Sequence, residues 1–197
     1  MPSNEIRGLT FGENGDVLVG TNGGLVVIRD GKIIRKAGAE DGIENTVFLT
    51  VEESFDGNIY AGSDGGGIYV ISDEGVEVLG RDDGLTSEVI MKIIRDEDRN
   101  VMWVVTSNSI EYIKDGEVHE VSSFPYNNNY DLYYDKNDNI WIISSYGIYI
   151  VSAQDMIDDK VEDYSLFTLS RGLCVTPTTN SFSALDEIGR ASCRERV

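Results

Sequence analysis

The sequence predicts an all-β protein made of one module repeated in tandem, and three observations predict it. Apolar residues come in short runs rich in β-branched and aromatic side chains, such as IYAG at 59–62 and IYVI at 68–71. Such runs are too short for helices and suit strands. The gaps between them hold turn chemistry: Asp56-Gly57-Asn58, Asp64-Gly65-Gly66-Gly67, Asp73-Glu74-Gly75 and Asp82-Asp83-Gly84. These residue types tolerate the positive φ of tight reversals, so the gaps read as hairpins between antiparallel strands. The whole pattern then recurs. Gly15 to Gly57 is about 42 residues, and a period of roughly 40–45 with four strands per unit marks a propeller blade. A helical solenoid would show 3.6-residue apolar spacing inside each unit, and none is present. The predicted fold is an incomplete β-propeller: about four four-stranded antiparallel blades plus the first strand of a fifth.

Residues 43–85 show the unit most clearly, with strands expected at 47–51, 59–61, 68–71 and 76–79. Blade one, about 5–43, has the same order, Val17 matching Ile59 and Gly42-Ile43 matching Gly84-Leu85. Blade two covers 44–85. Blade three, about 86–124, and blade four, about 125–169, put Trp103 and Trp141 where blade two has Tyr60. Blade four carries an insertion at 153–163, between its third and fourth strands, expected to form one helical turn. A fifth blade starts within 174–186. No linker or low-complexity segment divides residues 1–186. The second-strand aromatics Tyr60, Trp103 and Trp141 are expected to pack blade on blade. Burying each contributes about 1.5–3 kcal/mol. An unclosed arc leaves the outer face of blade one and the far edge of the fifth uncovered.

The ends differ from the rest. The last eleven residues, EIGRASCRERV at 187–197, hold three arginines and no strand alternation. They resemble the translation of a common sequencing adapter and are expected to lie outside the native protein. Of the two cysteines, Cys174 and Cys193, only Cys174 is then native, and no disulfide is expected. Met1 falls at the repeat position of Ile43 and Leu85, so it is expected to be an internal methionine of a longer reading frame.

Formal net charge is -19 over 197 residues. That argues against nucleic acid, whose phosphates need Lys and Arg, and equally against docking to anionic lipid. The acidic residues are scattered through turns, as on a solvated surface. No apolar run approaches the roughly 18–20 residues that span a bilayer, and no secretory leader follows Met1.

The pattern (D/N)-G-x-(I/W/L)-(W/Y)-x-G-(T/S)-x-x-G-(G/L)-(I/L), followed by a Gly-Leu start to the next blade, resembles the two-component regulator propeller repeats. Here it runs from Asn14-Gly15 through Gly20-Thr21 to Gly24-Leu25, and from Asp56-Gly57 through Gly62-Ser63 to Gly67-Ile68. Blades three and four depart from it, with Val105-Thr106 and Ile143-Ser144 in place of the Gly-Thr pair. The resemblance implies a fragment of the extracytoplasmic, ligand-binding sensor part of a bacterial membrane receptor. The output domain of such receptors is a histidine kinase with a DNA-binding regulator, or a diguanylate cyclase. Sugar-derived ligands are a frequent input, and the implied partners are neighbouring blades and the parent chain's signalling domains.

Antiparallel order puts the turns between second and third strands on the same side as the segments leading into each next blade. That side collects Asn45, Glu88, the run Tyr126, Asn127, Asn128, Asn129 and Tyr130, and Asn180. Loops on a rigid frame are where propellers bind small molecules. Amides suit hydroxyl groups and rings suit sugar faces, so these residues form the candidate ligand site, a carbohydrate or other small ligand being the expected occupant. The plain alternative is a polar turn, since Asn is a common turn former. Residues 135–139 (DKNDN) alternate oxygen side chains like a calcium loop but lack its Gly and distal Glu, so a structural turn is expected. The single histidine, His119, sits in an outer strand and is expected to face solvent. The glycines at 65–67 lack the helix and Lys of a phosphate loop. No catalytic residue, metal site or cofactor is predicted. The rival functions are a propeller lyase or hydrolase of the streptogramin lyase kind, which needs a channel-facing His with metal-binding acids, and an interaction platform without a small ligand.

Overall fold

The structure, a computed structural model, describes residues 2–125, 127–179, 181–185 and 191–195. Four sheets, each of four antiparallel strands in sequence order, follow one another along the chain. Blade one is β1 (Ile6–Phe11), β2 (Val17–Thr21), β3 (Gly24–Arg29) and β4 (Lys32–Ala37). Blade two is β5 (Phe48–Glu53), β6 (Ile59–Ser63), β7 (Ile68–Ile71) and β8 (Val76–Leu79). Blade three is β9 (Ile90–Asp96), β10 (Val101–Thr106), β11 (Ile110–Lys114) and β12 (Glu117–Glu120). Blade four is β13 (Asn129–Tyr134), β14 (Asn139–Ser144), β15 (Gly147–Ser152) and β16 (Ser165–Phe167), with one short helix, α1 (Ala153–Ile157), inserted before β16. The all-β blade arrangement read from the repeat is present. One feature differs: the terminal segment, expected to hold no strand, forms β18 (Ala191–Glu195), which pairs with β17 (Ser181–Leu185). Pairing satisfies backbone groups that an edge strand would leave open.

Blades are joined by a recurring turn. After β4 and again after β8 comes a 3₁₀ turn, Ala39–Asp41 and Arg81–Asp83. In each, the aspartate carboxylate at the end (Asp41, Asp83) accepts the backbone N–H three residues earlier, Gly38 or Gly80, at 2.8 Å. Gly42 (φ 88°) and Gly84 (φ 108°) end the turns in the left-handed region that favours glycine.

Three apolar seams hold the blades face to face. Leu18, Leu25 and Val27 of blade one meet Phe48, Val51 and Ala61 of blade two. Tyr60 and Ile68 of blade two meet Ile90, Ile93 and Met102 of blade three. Trp103, Ile110 and Tyr112 of blade three meet Leu132, Ile140 and Tyr149 of blade four, with Ala153 and Met156 from the insertion covering the outer part of that seam. The expectation for second-strand residues thus divides. Tyr60 and Trp103 are buried in seams, whereas Trp141 is half-buried on the far side of blade four. On blade one, Ile6, Leu9 and Phe11 remain exposed.

The consensus glycine of the Gly-Thr pair has a packing reason. A Cβ at Gly20 would lie 2.9 Å from Phe48 O, and one at Gly62 would lie 2.6 Å from Ile90 Cγ2. Each glycine admits the first residue of the next blade's inner strand. In register, Val105 takes the place of these glycines and Asn129 the place of Phe48 and Ile90. The added bulk on blade three is matched by a smaller residue on blade four.

The first strands of successive blades lie side by side and form the wall of a central channel. Ile93 N–H donates to Thr50 Oγ1 at 3.2 Å, Tyr134 O–H donates to Arg95 O at 3.2 Å, and Ser183 O–H donates to Asp131 Oδ2 at 2.7 Å. These bonds link β5 to β9, β9 to β13 and β13 to β17.

Candidate ligand-binding face

The face is built by one bond repeated in every complete blade. The backbone N–H just after the second strand donates to the carbonyl just before the first. The pairs are Asn22 to Glu5 (3.1 Å), Asp64 to Val47 (2.9 Å), Ser107 to Val89 (3.0 Å) and Ser145 to Asn128 (2.9 Å). Further bonds cross between blades: Gly65 and Gly67 N–H donate to Glu88 O at 3.1 and 2.9 Å, and Asn127 N–H donates to Asn108 O at 3.2 Å. Second-to-third turns and blade lead-ins therefore share one side, held backbone to backbone.

The predicted residues fall on this side in different states. Asn45 is absorbed by structure: its Nδ2 donates to Asp64 O at 2.7 Å, its Oδ1 accepts Val47 N–H at 3.1 Å, and its own N–H donates to Tyr69 Oη at 2.9 Å. Glu88 contributes the carbonyl just described. Asn128 is exposed and Tyr130 half-buried. Tyr126 and Asn180 lie outside the described residues. Asn45, Glu88 and the 127–130 run open three successive blades, so only the last of these places several predicted side chains together.

Asn127 and Asn129 stand apart chemically. Asn127 is buried, its Nδ2 donates to Pro125 O at 2.9 Å, and its Oδ1 has no partner. Asn129 is fully buried and neither Oδ1 nor Nδ2 is hydrogen-bonded. A buried amide left unpaired costs about 1–3 kcal/mol, and native proteins leave few such groups. Beside them, the second-to-third turn of blade three is a polar knot. Ser109 O–H donates to Glu111 Oε1 at 3.0 Å, Thr86 N–H donates to the same oxygen at 2.9 Å, and Oε2 of this fully buried carboxylate has no partner. Burial pushes the Glu111 carboxyl above the usual range, against the bonds from Thr86 and Ser109.

Elsewhere the residues weighed in the sequence have structural roles. Asp135 accepts Asn137 N–H at 2.8 Å, Asn139 N–H at 3.1 Å and Trp141 Nε1–H at 2.9 Å. Burial opposes its ionisation, yet the bonds from Trp141 and Asn139 hold its carboxyl below the usual range. His119, expected to face solvent, is half-buried and stacked on Tyr112 with ring centroids 4.8 Å apart, because strand register pairs the two directly. Sequence reasoning passed over the buried state of Asn129, for which the repeat does carry a signal, an amide at the position of Phe48 and Ile90. It also passed over Glu52, a carboxylate on the channel wall.

No protein-family model and no curated protein matches the chain. Among solved structures, it is similar to the extracellular domain assigned to a hybrid two-component system, BT3049 of B. thetaiotaomicron. The TM-score is 0.79 and the identity 18%, over 95% of this chain and 26% of that one. A second such extracellular domain, BT4673 of the same organism, gives a TM-score of 0.71 and 17% identity, over 96% of this chain and 27% of that one. Virginiamycin B lyase from Staphylococcus aureus gives 0.64 and 15%, over 97% and 70%. The chain thus spans about a quarter of the two extracellular domains. It has the fold of an open β-propeller arc, the fold it shares with the extracellular domains of hybrid two-component systems.

Proposed function

We propose that the chain is part of the extracytoplasmic ligand-binding domain of a bacterial transmembrane signalling protein, of hybrid two-component or diguanylate cyclase type, and is itself non-enzymatic. The observation that carries this reading is the pair Asn127 and Asn129: buried amides with open hydrogen-bonding atoms, at the lead-in of blade four on the loop face. Likeness to extracellular domains over nearly the whole chain supports the sensor assignment. The ligand is a neutral carbohydrate or similar polar molecule, because hydroxyl groups can both donate to Oδ1 and accept from Nδ2. Because both amides are buried, its contact would require the blade-four lead-in to shift, altering packing at the blade-three to blade-four seam, and the parent chain's signalling domains would receive that change. No helix among the described residues is long and apolar enough to cross a membrane.

A thermal-shift screen of neutral sugars and glycan fragments tests the reading. The expected result is stabilisation by at least one compound, lost in Asn129→Val. No shift with any of them favours a protein-interaction platform instead. Turnover of a substrate would favour a propeller lyase.

A further inference from the structure

The channel wall carries a cavity separate from the loop face and independent of the reading above. Three inner strands, β1, β5 and β9, border an open cavity of about 490 Å³ lined by Leu9, Thr10, Leu49, Glu52, Met91 and Lys92 among others. Its chemistry is unlike the surface of a chain with formal net charge -19. Lys92 is half-buried and forms no ion pair among the described residues. Two other cations stand on this wall. Arg7 Nε donates to Asn22 Oδ1 at 2.8 Å. Arg95 pairs with Glu13, lies 3.6 Å from Glu97 and sits 4.6 Å over the Phe55 ring. Lys92 is therefore the half-buried cation of this cavity without an ion pair among the described residues, Arg7 being exposed at its edge.

Its neighbour across the cavity is Glu52. Thr10 O–H reaches Glu52 Oε2 only at 3.4 Å, and Glu53 N–H reaches Oε1 at 3.3 Å. Both are long for bonds to a carboxylate, which prefers about 2.7–2.9 Å. Burial pushes the Glu52 carboxyl up to about 7, against the opposing influence of Glu53 N–H, Lys92, Thr10 and Arg95. The titratable groups facing it are Arg7 from β1, Glu53 on its own strand and Lys92 and Arg95 from β9. Glu13, Glu97, Asp98 and Tyr134 border the adjoining space that Glu52 also lines.

We propose that this cavity binds a small aliphatic carboxylate, its anionic oxygens placed between Lys92 Nζ and a protonated Glu52 that donates its O–H, and its carbon chain against Leu9, Leu49 and Met91. One ammonium and one neutral acid suit a single negative charge; a phosphate dianion would need further cations. The apolar lining selects an aliphatic chain over a polyhydroxylated one. Binding is strong while Glu52 keeps its proton and weakens as that proton leaves, because two carboxylates would then face one lysine.

The test is isothermal titration calorimetry of the full chain with butyrate at pH 5.5 and pH 8.5, with glucuronate as a second arm and circular dichroism confirming the fold at both values. Butyrate is expected to bind about 30-fold more tightly at the lower pH, the ratio set by the protonated fraction of a group titrating near 7. Lys92→Met is expected to abolish binding. Glu52→Gln, which keeps a donor, is expected to bind with little dependence on pH. Absence of butyrate binding at pH 5.5, equal affinity at the two pH values, or unchanged affinity in Lys92→Met overturns the proposal. Tighter binding of glucuronate than of butyrate overturns the aliphatic assignment.

Discussion

Trp103 Nε1–H donates to Asp96 Oδ2 at 2.9 Å, and both side chains are fully buried. The same carboxylate oxygen accepts Arg99 Nη1–H at 2.7 Å, and Arg99 also pairs with Asp138 of blade four. One aspartate thus ties the indole of the blade-three to blade-four seam to a cation that crosses it. Blade four repeats the indole bond, Trp141 to Asp135 at 2.9 Å, without the arginine.

Removing Asp96 leaves Arg99 and the Trp103 indole without their buried acceptor. Asp96→Ala is expected to destabilise by about 3–5 kcal/mol, the usual result of breaking a buried charge pair from one side. Asp135→Ala, in a half-exposed setting, is expected to cost about 1 kcal/mol. Urea unfolding followed by far-ultraviolet circular dichroism compares the two. Equal losses would show that the seam adds nothing to the bond.

The close approach at Gly62 makes a second prediction. A Cβ there would sit 2.6 Å from Ile90 Cγ2 and 2.7 Å from Thr50 Cγ2. Gly62→Ala is expected to cost about 1–3 kcal/mol through overpacking. The double variant Gly62→Ala with Ile90→Ala should recover part of that loss, and equilibrium unfolding of the set measures the coupling.

Asn129 reverses the usual direction. Because its amide is buried and unpaired, Asn129→Val is expected to leave stability unchanged or raise it by about 1 kcal/mol. It should at the same time remove the ligand response expected at the loop face. A large destabilisation measured by thermal melting would mean that the amide holds the seam together.

Glu52 makes stability depend on pH. Below about pH 4.5 the carboxyl is protonated in both folded and unfolded chains, and burying it carries no ionisation penalty. As pH rises the unfolded chain releases its proton first, while the folded chain holds it to about 7. Stability contributed by the buried neutral acid is therefore lost between about 4.5 and 7 and stays lost above. Glu52→Gln should remove this component, gaining on the order of 1–2 kcal/mol over the wild type at pH 8 and none at pH 4. Unfolding midpoints of both proteins across that range decide it.

The blade repeat was legible because each strand and turn is specified locally. Asp56-Gly57-Asn58 can only reverse the chain, and the residue spacing repeats with it. Trp103 and Trp141 look identical in the sequence, yet only one is buried in a seam, since burial depends on which sheet lies beyond it. His119 looks exposed until the β11 to β12 register sets it on Tyr112. The asparagine run signals a polar lead-in, but not that alternation would turn Asn129 inward and leave Asn128 outside. Glu52 and Lys92 belong to different blades and become neighbours only when inner strands stand side by side, which no local pattern announces.

The backbone bonds that knit turns to lead-ins on the loop face do not depend on which side chain their donor residues carry. Asn22, Asp64 and Ser107 make the same main-chain contact with three different side chains. Recognition chemistry on that surface can therefore be exchanged residue by residue while its scaffold holds still, and one architecture can be retuned to unrelated signals without being refolded.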